Sequence, residues 1–227
     1  MRYILIQMKR LGFPYIFFAV CVILAGFPVF AADAEDPDFF ALQSVSVFHD
    51  TLWLGNSDND SAPSPILSVW GASLRFHLKD RWSFAPELAL TTVEYLYCDG
   101  KALPAEIEEA NAVRTLDIIF GLPFLYRFQP ANDLRVFLGT GATFSFKVPY
   151  KTYGNASGTD VAEYFLQSGR FFHWEVCSVL EWDFHEYLGF CVRARLIVPV
   201  YRLWDGDNMP LYDGLMAGVS FGLRFRF

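Results

Sequence analysis

Beyond its first 31 residues the chain has no apolar run approaching the ~20 residues that a membrane-crossing helix requires. A helical membrane protein is therefore excluded for that part. Cysteine and histidine are scarce, at four each in 227 residues, and none falls at ligand spacing. No metal site and no cofactor are expected. Positive charge is also short. The first 31 residues hold three basic residues and no acid, so residues 32–227 carry 15 Lys+Arg against 25 Asp+Glu, a formal charge of −10. Without a basic stripe, nucleic acid is not an expected partner. Yet 53% of the residues are hydrophobic and 18% aromatic, much for a soluble domain. A chain this apolar without a spanning helix has few options. A closed barrel is one, because closure satisfies every backbone group inside lipid.

The N-terminus indicates export. Arg2, Lys9 and Arg10 precede an apolar stretch over residues 11–30, broken by Gly12, Pro14, Gly26 and Pro28. Val29 and Ala31 are the small residues before a cut between Ala31 and Ala32, with a second cut open near Ala34. This is the layout of a secretory signal peptide. Residues 1–31 read as the leader and 32–227 as one domain; Met8 is an alternative start. Cys21 raises a lipoprotein alternative, but Val20 before it is bulky for that processing.

The last thirteen residues carry the strongest pattern in the exported part. Leu215, Ala217, Val219, Phe221, Leu223, Phe225 and Phe227 share one parity, and Met216, Gly218, Ser220, Gly222, Arg224 and Arg226 the other. A period of two sends the two sets to opposite faces of a strand. Lipid outside and a polar lumen inside require this arrangement; a soluble sandwich strand buried on one face is the competing explanation. Phe227, the terminal aromatic, is expected to serve as an assembly signal for the barrel assembly machinery. The alternation recurs upstream. Phe190, Val192 and Leu196 oppose Cys191, Arg193 and Arg195, while Trp174, Leu180 and Trp182 oppose His173, Glu175 and Glu181. Leu138, Phe144 and Phe146 oppose Arg135, Thr143 and Lys147. Ile118, Phe120 and Phe124 oppose Asp117, Gly121 and Arg127. Trp82, Phe84 and Leu88 oppose Ser83 and Glu87, and Trp70, Leu74 and Phe76 oppose Gly71, Arg75 and His77. The first segment, from about Phe39 to Leu54, is ambiguous: Val45 and Val47 lie on one parity and Leu52 and Leu54 on the other, which implies a bulge or a partly apolar interior. The count is eight. The expected fold is all-β, an eight-stranded antiparallel up-and-down transmembrane β-barrel.

Tight turns over residues 79–81, 129–133 and 185–187 alternate with long polar connections over 55–65, 98–113, 149–169 and 203–213, as in outer-membrane barrels. Residues 105–112 (AEIEEANA) alone have helical composition. The tight turn over 185–187 sets Cys177 opposite Arg195 and Cys191 opposite Glu181, so a bridge between those cysteines is poorly aligned.

An eight-stranded lumen has room for side chains or one small ligand, which excludes a wide pore. Its periplasmic half collects Arg75, His77, Glu87, Arg127, Arg135, Glu181, Asp183, Arg193, Arg224 and Arg226. Mixed charges in a narrow lumen should pair, because an unpaired buried charge is costly. A plug of ion pairs is expected there, with some arginines meeting periplasmic water. The outer half collects Val69, Val93, Tyr95, Ile197, Pro199, Tyr201 and Met216, with Asp117, Lys147, His173 and Glu175 among them. Apolar walls with a few polar groups are how small-molecule sites are built. This gives an apolar cup open outward and shut below; the alternative is that these side chains simply fill the barrel.

Three stretches resemble the OmpW family of small outer-membrane barrels. Asp38-Phe39-Phe40-Ala41-Leu42 is similar to its first-strand entry. Leu122-Pro123, Tyr126-Arg127-Phe128 and Arg135-Val136-Phe137-Leu138-Gly139-Thr140-Gly141 are similar to its central hairpin, with Val136 where the family usually has proline. Phe221-Gly222-Leu223-Arg224-Phe225-Arg226-Phe227 is similar to its close. OmpA- and OmpX-type barrels share most of these motifs. The resemblance implies a narrow apolar channel in the outer membrane of a double-membraned bacterium, closed toward the periplasm. Small apolar molecules would leave it laterally into the membrane lipids. Two rivals stand beside this. One is a structural or adhesive barrel that binds through its loops, of which 56–60 and 154–160 are polar. The other is an enzyme using His173 and Glu175, or His49 and Asp50, at the outer rim; no recognisable motif supports it, and no catalytic residue is expected.

Overall fold

A computed structural model describes residues 40–56, 66–105, 112–131 and 133–227. The leader, its cleavage residues Ala31 and Ala32, and Phe39 lie outside the described residues, as does most of the AEIEEANA segment.

The elements in chain order are β1 (Leu42–Leu54), β2 (Ile66–Lys79), β3 (Trp82–Phe84), β4 (Glu87–Cys98), β5 (Lys101–Ala105), β6 (Ala112–Phe128), β7 (Leu134–Thr152), α1 (Gly158–Leu166), β8 (Phe172–Asp183), β9 (Leu188–Val198) and β10 (Met216–Arg226), with 3-10 turns at Gln167–Gly169 and Val200–Leu203. Every pairing is antiparallel, and β1 pairs with both β2 and β10, which closes the ring. β3 and β4 together form one wall, interrupted at Ala85-Pro86, because proline has no N–H for the ladder. Backbone bonds from Leu74 to Pro86 (3.0 Å) and from Ala85 to Pro123 (3.0 Å) bridge the break. The wall therefore has eight strands. The chain is an eight-stranded antiparallel transmembrane β-barrel.

The faces follow the alternation. Phe221, Leu223 and Phe225 of β10 are exposed, while Ser220 and Arg224 are buried. On β8 Trp174, Val176, Leu180 and Trp182 are exposed, and His173, Glu175 and Glu181 buried. In β1, register is unbroken from Ser44 to Leu54, and the one irregularity lies between Leu42 and Ser44. Ser44, Ser46, Phe48, Asp50, Leu52 and Leu54 face in. The ambiguity of that segment thus resolves as an apolar upper interior, without a bulge between Val47 and Leu52. Placing a charge on the outer face should be costly: Phe221→Arg is expected to destabilise the barrel by about 2–4 kcal/mol near the bilayer midplane. Denaturant unfolding in lipid vesicles measures this, and an unchanged midpoint would contradict a lipid-facing band.

Two loop expectations need correction. Residues 98–113 are not simply a loop, since β5 folds back on β4 with Cys98 opposite Lys101. Asp99 (φ 51°) and Gly100 (φ 76°) make that turn, and Asp-Gly is a strong two-residue hairpin signal. Residues 149–169 are not a plain polar loop either. β7 runs on to Thr152, and α1 comes after it, with Ser157 as N-cap accepting from Asp160 N (3.3 Å). Val161, Tyr164 and Phe165 sit at helical spacing and are buried. Of the 105–112 segment only the two ends are described, Ala105 in β5 and Ala112 in β6; the expected helix between them lies outside the described residues. Among the described residues no helix is long and apolar enough to cross a membrane.

Candidate functional site in the barrel lumen

The periplasmic end is filled by arginine and carboxylate. Glu181 is fully buried and takes Arg75, Arg224 at 2.9 Å and Arg135 at 3.9 Å. Asp183 takes Arg135, Arg224 and Arg226, the last at 2.9 Å. β7–β8 register sets Arg135 directly opposite Glu181. Four arginines meet two carboxylates, and Arg226, with its side chain 37% exposed, is the most open of the four to water. Arg127, expected in this plug, is not in it. It lines a groove at the turn with Arg81, Gln129 and Pro130 and makes no ion pair among the described residues. In the β6–β7 register Arg127 stands opposite Phe137 rather than beside Arg135.

An apolar layer of Ala85, Leu125, Phe137, Cys177, Val179 and Cys191 covers this deck. Cys177 pairs in register with Arg195 and Cys191 with Glu181, and both cysteines are free, as is the exposed Cys98.

A second ionic deck lies above that layer. Glu87, on β4, accepts from Arg193 and from Arg195 (2.6 Å), both on β9 across the lumen. Arg195 also lies 2.5 Å from Asp50 and 3.9 Å from Glu175. The Asp50 contact is an ion pair without hydrogen-bond geometry, since both Asp50 oxygens lack a bond. Thr143 donates to Glu175 at 3.1 Å. Arg195, Glu87, Asp50 and Glu175 have fully buried side chains. Close approach needs Gly121 on β6, where a Cβ would meet Glu87 Cγ at 2.7 Å. Sequence reasoning gave Glu87 and Arg193 to the plug but left out Asp50 and Arg195 and set Glu175 higher. The two decks thus occupy separate levels, divided by the Leu125–Phe137 layer.

Above lies the apolar chamber. Val69, Val93, Tyr95, Ile197 and Met216, all expected here, pack in one cluster with Leu52, Leu54, Leu67 and Ile119. Tyr201 borders the same space from the Val200–Leu203 turn, edge-on to His173 with ring centroids 5.3 Å apart. Burial pushes the Tyr201 hydroxyl up to about 12, so it stays protonated at neutral pH. Asp117 and Lys147 pair at 3.6 Å on the chamber wall, with Thr115 donating to Asp117 at 2.6 Å.

The cup is not open outward, which corrects that expectation. Val161, Tyr164 and Phe165 of α1 belong to the same buried cluster and fill the mouth. About 30 Å³ remains empty, little more than a water needs. The physical reason is that α1 has an apolar face and the chamber is where it can be buried. A polar clasp holds the lid from above. Arg170 pairs with Asp207 at 3.1 Å and Asp205 at 3.5 Å, Arg202 with Asp205 at 2.8 Å and Asp213 at 3.1 Å, and the Tyr164 hydroxyl donates to Asp207 at 2.8 Å.

Among the described residues the wall is incomplete beside this chamber. β2 and β4 pair from Ser73↔Glu87 to Trp70↔Leu90, and there the ladder stops. β2 continues to Ile66 against β1 alone, while the same edge of β4 pairs with β5 from Glu94 onward. Among the described residues one side-chain bond, Thr91 Oγ1 to Ser68 O at 2.9 Å, crosses the gap, and Asn56 Nδ2 reaches Pro104 O at 3.3 Å. Outside the gap runs a groove of about 530 Å³, bordered by Ile66, Leu67, Val93, Glu94 and Arg114. Leu67 borders both this groove and the inner cavity.

His49 and Asp50 lie on opposite faces of β1. His49 faces outward, 2.8 Å from Ser68 Oγ and against Trp70, while Asp50 faces in. His173 is 2% exposed and bonds to Phe171 O at 3.3 Å. Phe227 is exposed, its N–H on Gln43 O at 3.2 Å.

No family model matches this sequence, and neither does any curated protein. Among solved structures the chain is similar to Neisserial surface protein A, with 12% identity, a TM-score of 0.52, and coverage of 81% of this chain and 96% of that one. Ail of Yersinia pestis gives 10% identity and a TM-score of 0.47 over 82% and 98% of the two chains. The outer membrane protein OprG of Pseudomonas aeruginosa gives 9% and 0.44 over 84% and 98%. At these identities the likeness is one of fold, that of small outer-membrane β-barrels.

Proposed function

We propose that this barrel sits in the outer membrane of a double-membraned bacterium and passes small apolar molecules from its outer half sideways into the bilayer. The observation that carries this reading is the seam between β2 and β4, unpaired among the described residues, where Leu67 borders both the apolar chamber and the outer groove. The two ionic decks below oppose passage to the periplasm, because a ligand going down would have to strip buried ion pairs of their partners. The resemblance to the OmpW family agrees with this route. Membrane lipids then cover the exposed apolar band, and Phe227 marks the chain for the assembly machinery. The test is uptake of a small apolar probe by cells with and without the protein, with barrel assembly checked by heat-modifiable migration. Faster uptake with the protein is expected; equal uptake contradicts the reading.

A second reading has one observation in its favour. The Arg170 and Arg202 clasp fixes α1 and the 203–213 connection against one another, which would present a rigid outer surface to a binding partner. Unchanged uptake together with loss of surface attachment on disrupting the clasp would favour it.

A further inference from the structure

We infer that the chamber beneath α1 is a site for a small uncharged aromatic ring, and that Phe165 occupies it as a built-in surrogate ligand when the lid is shut. This rests on the apolar-molecule reading and narrows it to a ligand class. The surroundings of Phe165 are more specific than an apolar plug requires. The Tyr95 ring meets it edge to face, with centroids 4.7 Å apart and planes at 60°. Tyr164 packs against it from the helix at 5.1 Å and 82°. The ammonium of Lys147 lies 4.5 Å from its centroid, over the ring. Edge-to-face packing and a cation over a ring both depend on the negative face of a π system, which an alkyl group lacks. Lys147 is held there from behind, by Asp117 at 3.6 Å and Ser145 Oγ at 2.9 Å. These two wall groups belong to the barrel strands and not to the helix, Tyr95 to β4 and Lys147 to β7.

The surrogate is built to be displaced. After α1 come Ser168 (φ 53°) and Gly169 (φ 70°), two successive left-handed residues where the chain turns back toward β8. Its outer hold is the polar clasp at the mouth, Arg170 over the Tyr164 ring at 4.0 Å with Asp205 and Asp207 beyond. A ring entering the chamber replaces the contacts of Phe165 in kind. The lid then keeps its fold and gives up only its place.

The experiment compares benzyl alcohol with cyclohexylmethanol, matched in size but differing in the π face, on the full chain in lipid nanodiscs, read by the Met216 methyl resonance. Met216 borders the chamber. Benzyl alcohol should give a saturable shift, and cyclohexylmethanol should bind about tenfold more weakly, the scale of a desolvated cation–π contact. Phe165→Ala should bind benzyl alcohol at least several-fold more tightly, since the surrogate no longer competes. The double variant Lys147→Met, Asp117→Asn, which removes both charges of the pair, should shrink the difference between the alcohols to the part that the Tyr95 edge contact supplies. No saturable shift in either the native chain or Phe165→Ala overturns the inference, as does equal binding of the two alcohols. If changes at Leu67 leave uptake untouched while benzyl alcohol still binds, lateral passage fails and the aromatic site stands, so the two ideas fail separately.

Discussion

Replacing Arg195 with methionine is expected to lower the stability of the barrel by about 3–5 kcal/mol, the cost of breaking a buried ion pair from one side. Arg195 is the shared partner of Asp50 (2.5 Å), Glu87 (2.6 Å) and Glu175 (3.9 Å), and all four side chains are fully buried. Without it Glu87 retains Arg193, but Asp50 has no other cation within 4.0 Å among the described residues. The fault is therefore an uncompensated carboxylate, more than the loss of a contact. Adding Asp50→Asn to the variant should recover part of the loss, which a double-mutant cycle would show as coupling. Denaturant titration in lipid vesicles measures both. A loss under about 1 kcal/mol, in the range of exposed pairs, would mean that water reaches this deck.

The second large effect is expected at Leu67. Leu67→Trp should fill the seam and reduce apolar-probe uptake to that of cells lacking the protein. Leu67→Ala thins the partition between chamber and groove and should raise uptake, at a stability cost of about 2–5 kcal/mol for a buried leucine truncation. The opposite signs are the discriminating feature, since general damage to the barrel would move both variants the same way. Uptake equal to native in both variants, with normal assembly, would dispose of the lateral route.

Which face of each strand turns outward was legible because a barrel in lipid imposes period two on every wall, and β10 keeps it from Met216 to Arg226. The contents of the lumen were legible as composition but not as partnership. Arg193 and Arg195 were visible as inward arginines on β9; that they meet Glu87 on the opposite wall depends on strand tilt and lumen width, which alternation does not encode. Asp50 was obscured by an interior that turns apolar above it, at Leu52 and Leu54, so parity alone could not say which side faced in. Two elements did leave local marks that polar composition masked. Asp99-Gly100 announced the β4–β5 hairpin, and Ser157 three residues before Asp160 announced the start of α1. The lid matters most, because it turns an open cup into a closed chamber.

Conductance across a planar bilayer tests the closed lower lumen most directly, using Phe165→Ala to unblock the mouth and protease resistance to establish insertion. The account predicts no ion steps from this variant, because the decks of Glu87 and Glu181 still seal the path beneath the chamber. Regular ohmic steps at low voltage would contradict it, and would mean that the buried ion pairs line a conducting pore.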